Sequence, residues 1–263
     1  MDGGVIDIGY PQLFAASALM LVAGFVSWKL ELGQEKSIAV AAVRAFVQLL
    51  AMGFLLVYLF RYQTWWLVAL VLLAMTLCAA QIAVSRVRNQ VGGLWLPVFA
   101  TLLASSMTIA FIVVEGVVQP DPWYSARQLV PIAGMALGNT MSATAVAVDR
   151  LFADLDARSD EMFALVALGA TPREAAFPSI KAAVGAGILP TLATMCAAGI
   201  VQIPGMMSGQ ILAGADPVVA AKYQIVVLLM MSAATTLAIV MISLLTFRKR
   251  FSREGYFLDP GLR

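Results

Sequence analysis

Apolar residues in this chain occur in long, nearly unbroken runs, and the charged residues collect in short stretches between them. A helix needs about 20 consecutive apolar residues to cross a bilayer, and runs approaching that length fall at residues 13–28, 38–60, 65–84, 96–118, 129–148, 183–203 and 224–247. The pattern predicts an all-α, polytopic transmembrane helical bundle of about seven spans, organised as one transmembrane domain over 1–263 with the lipid bilayer as its solvent. Basic residues orient it, because cytoplasmic loops are enriched in Lys and Arg. With the N-terminus outside, the inner loops and tail hold Lys29, Lys36, Arg86, Arg88, Arg150, Arg158, Arg173, Lys181, Arg248, Lys249, Arg250 and Arg253. Only Arg61, Arg127 and Lys222 then fall outside, and the C-terminus lies inside. Trp28, Trp65, Trp66, Trp95 and Trp123 sit near the expected interfaces, where amphipathic rings are favoured.

Composition narrows the function classes. Of the 263 residues 61% are hydrophobic and 12% charged, more apolar surface than one water-soluble core hides. The residues before the first run carry Asp2 and Asp7 and no basic residue, unlike a secretory signal peptide, so the first span is expected to be retained. The net charge of +2 is spread over loops, which offers nucleic acid no basic face. There is no histidine, and Cys78 and Cys196 sit in separate spans without CxxC spacing, so zinc, haem and histidine-based nucleophilic chemistry lack their ligands or base. No catalytic residue is assigned, and a membrane-embedded enzyme has no plausible reacting group.

The longest stretch outside the expected spans is 149–182, read as cytoplasmic. Leu151, Phe152 and Leu155 recur at helical spacing, as do Met162, Leu165 and Leu168, predicting two short amphipathic helices. The second stops at Gly169, which accepts the left-handed conformation past a helix end. Thr171, Pro172 and Glu174 then supply a hydroxyl N-cap, a proline at the first helical position and a capping-box carboxylate. A short helix is expected from Pro172, limited by Pro178. Helix, glycine turn and short capped helix resemble the coupling helix that ABC importer permeases dock into their ATPase, with Ala164, Gly169, Ala170 and Arg173 in the corresponding stretch and the acidic residue displaced to Glu161. An ordinary interfacial helical hairpin is the other reading.

Two segments share the pattern V-x-I-x-G-M-x-x-G-[N/Q]: Val130 to Asn139, and Val201 to Gln210. Paired apolar segments interrupted by Gly and Pro point to a transport pathway, since irregular backbone is tolerated at membrane depth only where it is buried or lines a cavity. Residues 204–214 are too short to span and are expected to form a re-entrant segment, with both Gly-Met units running inward from the outer face and Asn139 and Gln210 as comparable polar groups. Close helix contact at the glycines is the alternative. Polar residues within spans are functional candidates: Asn139 first, then Ser142 and Thr144, with Glu115 near enough to the outer interface to be simply solvated. Arg44 and Gln48 share a helix face, and Arg44 is expected to snorkel to the interface. Met135, Met141, Met195, Met206 and Met207, of 14 methionines, either line a pathway with Gly205 or fill the core. No metal ligand set is assigned.

The runs GNTMSATAVAVDRLFADLDARSDE, LVALGATPREAAFPSIKAA and ILPTLATMCAAGIVQIPGMMSGQILAGADPVVAAKYQIVV, with RAFVQLL around Arg44, closely resemble the FetB family of bacterial permeases, assigned to iron export, with plant relatives linked to aluminium tolerance. The resemblance implies a multi-pass permease of the bacterial inner membrane, working as a homodimer with a separate ABC ATPase, and supporting metal homeostasis and resistance to oxidative stress. No cofactor is expected in this chain. It contains no GxxxxGK[ST] to cradle phosphates, so ATP would bind the partner. With no histidine and few intramembrane carboxylates, iron would cross as a chelate or on carbonyl and amide oxygens. A nucleotide sugar as cargo, and a secondary transporter or channel that needs no partner, remain the competing expectations.

Overall fold

The computed structural model describes residues 9–31, 33, 35–87, 92–252 and 254–258. Asp2, Asp7, Arg88 and Arg253 lie outside the described residues. The order is α1 (Tyr10–Ser17), α2 (Leu19–Lys29), α3 (Glu35–Tyr62), α4 (Trp65–Arg86), α5 (Trp95–Leu102), α6 (Thr108–Val113), α7 (Ala126–Ala157), α8 (Ser159–Ala167), α9 (Pro172–Ala197), α10 (Gly205–Leu212) and α11 (Pro217–Thr246). Short π-helical turns at Leu103–Met107 and Val114–Val118 join α5 to α6 and extend α6, so Trp95–Val118 forms one rod. Among the described residues six helices are long and apolar enough to cross a membrane, and the apolar stretch Ala15–Lys29 supplies a shorter seventh.

The central helix is α7, packed against α4, α9 and α11. Asn139 of α7 meets Thr191 and Thr235, Gly187 of α9 abuts Ala143, Ala147 and Ile239, and Asp156 meets Arg250. These pairings make α11 parallel to α7 and α9 antiparallel to both. Arg250 and Lys249, the latter donating to the Gly92 carbonyl at 3.0 Å, mark one end of the bundle as basic. Two large apolar clusters result, with a small third of Ala143, Ala147 and Ile239 at the helix crossing. Phe152, Leu155, Met162, Phe247 and Phe251 fill the basic end, while Leu59, Val68, Val130, Ile132 and Met230 fill the opposite end. Helix α3 reaches the second cluster only near its C-terminal end, through Leu59, Leu56 and Met52. Arg44 and Gln48 are exposed on it.

Several expected boundaries move. Residues 149–157 do not form a separate soluble helix but continue α7, because Leu151, Phe152 and Leu155 are fully buried and extend its packing stripe. The short helix limited by Pro178 and the span at 183–203 are instead one helix, α9, which passes Pro178 and Pro190 and stops at Ala197. Each internal proline removes a hydrogen bond and costs about 3 kcal/mol in an isolated helix. The bundle offsets this by burying a stripe of mostly small residues, Ala176, Ala183, Gly187 and Thr191 with Ile180 among them, against α7 and α11. Helix α11 starts at Pro217, before the expected residue 224, because the Asp216 side chain caps it by accepting from Val218 and Val219 N–H at 2.9 and 3.1 Å.

Candidate functional site

The amide of Asn139 is the hub of a polar layer between the two apolar clusters. Its Nδ2 donates to Thr191 Oγ1 of α9 at 3.0 Å and to Thr235 Oγ1 of α11 at 2.7 Å. Both threonines are buried. One side chain thereby ties three helices at their common crossing, and since both its N–H groups are used, Oδ1 remains for the adjoining cleft, which Asn139 lines.

The cleft holds about 410 Å³. Met135, Gly138, Asn139 and Ser142 of α7 form one wall, with Thr194 of α9 beside them. Opposite stand Pro204, Gly205 and Met206 at the start of α10 and Gln224, Leu228 and Met231 of α11. Five residues singled out from sequence, Met135, Asn139, Ser142, Gly205 and Met206, thus share one cavity. Met207 adjoins it, its N–H donating to Gln224 Oε1 at 3.3 Å. Gln210 and Glu115 do not line it, although each keeps a buried carbonyl or carboxylate oxygen (Oε1) without a hydrogen-bond partner.

The expectation that both Gly-Met units run inward is overturned. Gln224 lies about two turns into α11 and touches the start of α10, whereas Gly214, just past the end of α10, leads directly into the α11 cap. Helix α10 is therefore antiparallel to α7 and α11, and the glutamine that lines the cleft together with Asn139 is Gln224, not Gln210. Nor are the shared glycines contact points: nothing lies within 4 Å of a Cβ built at Gly138, Gly205 or Gly209, and Gly134 meets only the flexible tip of Met75. The crowded glycine is Gly187. Sequence reading missed Thr191, Thr194, Gly187 and Gln224. Gln224 stood at the edge of an apolar run, where it looked interfacial; the three others carry no local signal.

At the basic end, α8 and α9 meet in a corner. The chain leaves α8 through a Schellman turn: Gly169 has φ +95°, its N–H donates to the Val166 carbonyl, and Ala170 N–H donates to Leu165, both at 3.0 Å. Thr171 and Glu174 then close the capping box, Thr171 N–H donating to Glu174 Oε2 at 2.8 Å and Glu174 N–H to Thr171 Oγ1 at 3.3 Å. Leu168 at the tip is 86% exposed, Phe163 and Phe177 flank it exposed, and Ala164 and Arg173 are exposed too. Glu161 is engaged locally: the Arg158 guanidinium donates to both of its oxygens, one at 2.7 Å, and holds its carboxyl below the usual range. A depressed carboxyl pKa gives order that is present through neutral pH and lost as pH falls below the ordinary glutamate range.

The C-terminal residues brace this corner. Phe257 packs edge-on to Phe163 and to Phe251, and Arg250 pairs with Asp156 at 2.7 Å while lying over the Phe152 ring. The sequence marked this tail only as positive charge.

The sequence profile of the family described as "Uncharacterised protein family (UPF0014)" matches residues 10–251. The chain belongs to the UPF0014 family. "UPF0014 membrane protein YjkA" of Bacillus subtilis (strain 168) is 34% identical over 92% of this UPF0014 chain and 96% of its own length. "Probable iron export permease protein FetB" of Escherichia coli (strain K12) is 32% identical over 98% of both chains. "Protein ALUMINUM SENSITIVE 3" of Arabidopsis thaliana is 32% identical over 85% of this chain and 81% of its own. No solved structure matches. With its six long apolar helices, this UPF0014 member is a multi-pass protein of the inner membrane.

In this UPF0014 chain Arg250→Ala removes the guanidinium that pairs with Asp156 beside the corner, in a site only partly open to water. Breaking a fully buried pair costs about 3–5 kcal/mol, and solvent access reduces that here to roughly 2–3 kcal/mol. The expected result is faster proteolysis and hydrogen exchange over α8 and the tail, with exchange in the middle of α7 unchanged.

Proposed function

We propose that this chain is the membrane-spanning permease subunit of an ABC transporter, a single permease domain with its basic end in the cytoplasm. Its ATPase is a separate chain that binds the ATP and docks on the α8–α9 corner. Two permeases form the pathway between them, and the cargo is a metal, iron foremost, moved outward. The observation that carries this reading is the continuity of α9. One helix runs from the capped corner at Thr171 to Thr191 and Thr194 at the polar layer and cleft, roughly 33 Å at 1.5 Å per residue. A displacement of the corner by an ATPase is therefore carried along one continuous helix to the wall of the cleft. The exposed Leu168, outside the spans, is the apolar anchor such a partner would cover. The likeness to a protein named as an iron export permease supports the cargo and the direction.

The test is ATPase activity of the partner reconstituted with this chain in liposomes, with iron supplied free and chelated. Stimulation dependent on the chain supports the reading. Gly169→Val forces a β-branched residue into a left-handed conformation, a strain of about 1–3 kcal/mol. It meets no neighbouring atom, since nothing lies within 4 Å of the Cβ. The variant is expected to reach the membrane folded and to lose most of the stimulation. Full stimulation in Gly169→Val would remove the corner as the docking element, and iron flux through the chain without any ATPase would replace the ABC reading with that of a partner-independent transporter.

A further inference from the structure

We propose that the start of α10 and Gln224 form a subsite for an oxyanion group, a phosphate or a carboxylate, so that the cargo is anionic or travels on an anionic chelator. The inference rests on the reading of the cleft as the transport pathway and names the chemical class the cleft accepts.

Helix α10 begins at Pro204 with no side-chain cap. Of its first three N–H groups, that of Met207 donates to Gln224 Oε1, whereas those of Gly205 and Met206 meet no acceptor among the described residues. Pro204, Gly205 and Met206 all line the cleft. Unsatisfied N–H groups and the positive end of the helix dipole favour negative charge at this place. The start of α10 also lies below the end of the bundle at which α11 begins: Gln224 is eight residues beyond the α11 cap at Asp216, about 12 Å along the helix.

A second, independent observation comes from Gln224 itself. It is 6% exposed and lines the cleft. Met207 N–H donates to its Oε1, and this contact orients the amide with Oε1 toward α10. The two N–H groups of Nε2 are left without an acceptor among the described residues, next to the uncapped helix start.

The rest of the lining argues against a bare hard cation. It contains no carboxylate, thiolate or imidazole, only three thioethers and neutral oxygens. Hard cations take carboxylate, carbonyl and water oxygens, and without a carboxylate this lining offers no negative charge to offset a bare divalent ion. Ser142 donates its hydroxyl proton to the Gly138 carbonyl and Thr194 to the Pro190 carbonyl, so these hydroxyls, with Asn139 Oδ1, offer acceptors on the far wall. The two walls together suit an oxyanion that also carries donor groups.

The experiment uses the purified full chain in phosphatidylcholine nanodiscs without an ATPase, and reads the melting temperature against inorganic phosphate, citrate, short-chain phosphatidylglycerol, iron(II) chloride and manganese(II) chloride. At least one of the three oxyanions should raise it saturably. A response to phosphate or citrate identifies a soluble cargo; a response to phosphatidylglycerol alone identifies a lipid headgroup. Gln224→Glu keeps the acceptor for Met207 and replaces the open donors with an oxygen, and should weaken the oxyanion by about tenfold or more. Gly205→Pro removes one N–H at a helix position that proline accepts, and should weaken it several-fold; it carries the test if Gln224→Glu fails to fold. No response to any oxyanion, a response to the metal chlorides alone, or an oxyanion response unchanged in the folded variants would each overturn the subsite. Because no ATPase is present, failure here leaves the coupling reading standing, and failure of coupling leaves this result unaffected.

Discussion

Gly187→Leu is expected to abolish the folded permease, giving an aggregated profile in detergent or a melting temperature lower by roughly 6–12 °C, equivalent to about 3 kcal/mol. A Cβ at this position would stand 3.1 Å from Ala147 Cβ, 3.1 Å from Ile239 Cγ2 and 3.2 Å from the Ala143 carbonyl oxygen. None of these is the end of a flexible side chain. Relief requires separating α9 from α7 and α11, and in lipid that packing is itself the force that holds helices together. Gly185→Leu, two residues away where nothing lies within 4 Å of a Cβ, is the matched control and should melt as the parent does. Equal behaviour of the two variants would mean that the three-helix crossing does not set stability.

The second large effect is expected at Asn139. Asn139→Leu removes the donor shared by Thr191 and Thr235 and leaves two buried hydroxyl oxygens without it, a loss of about 1–3 kcal/mol together with loss of transport. Stability and function are separable here. Adding Thr191→Val and Thr235→Val to Asn139→Leu makes the whole cluster apolar, and replacing all partners of a buried hydrogen bond together is nearly neutral. The triple variant should recover most of the melting temperature and none of the transport, because the Oδ1 face of the cleft is still missing. Recovery of transport along with stability would reduce Asn139 to a structural tie.

The seven apolar runs were legible because lipid imposes a long, one-dimensional signal: each span must be apolar over its own length whatever its neighbours do. The α8–α9 corner was legible for a related reason, since a Schellman glycine, an N-cap threonine and a capping-box glutamate act within a few residues of one another. Helix lengths were less so. Pro178 reads as a stop, and the chain passes it only because Ala176, Ile180, Ala183 and Gly187 pack against helices remote in sequence. The candidate site was legible in part. Asn139, Met135, Ser142, Gly205 and Met206 stood out as polar or irregular features of apolar segments, and they line one cleft.

Sequence by itself determined that this protein is a helical membrane bundle, where its apolar runs lie though not where each helix begins and ends, which end is basic, and that a short segment at 204–214 accompanies a polar Asn139. Tertiary structure alone decided that α10 runs against α7, that Gln224 and not Gln210 lines the cleft with Asn139, that Gly187 is the glycine at the crossing, and that α9 joins the corner to the cleft as one helix. Local capping and bilayer hydrophobicity act along the chain and can be read from it. Pairings such as Asn139 with Thr235, 96 residues apart, depend on which helix faces come together, and that is set by the fit of small residues between helices.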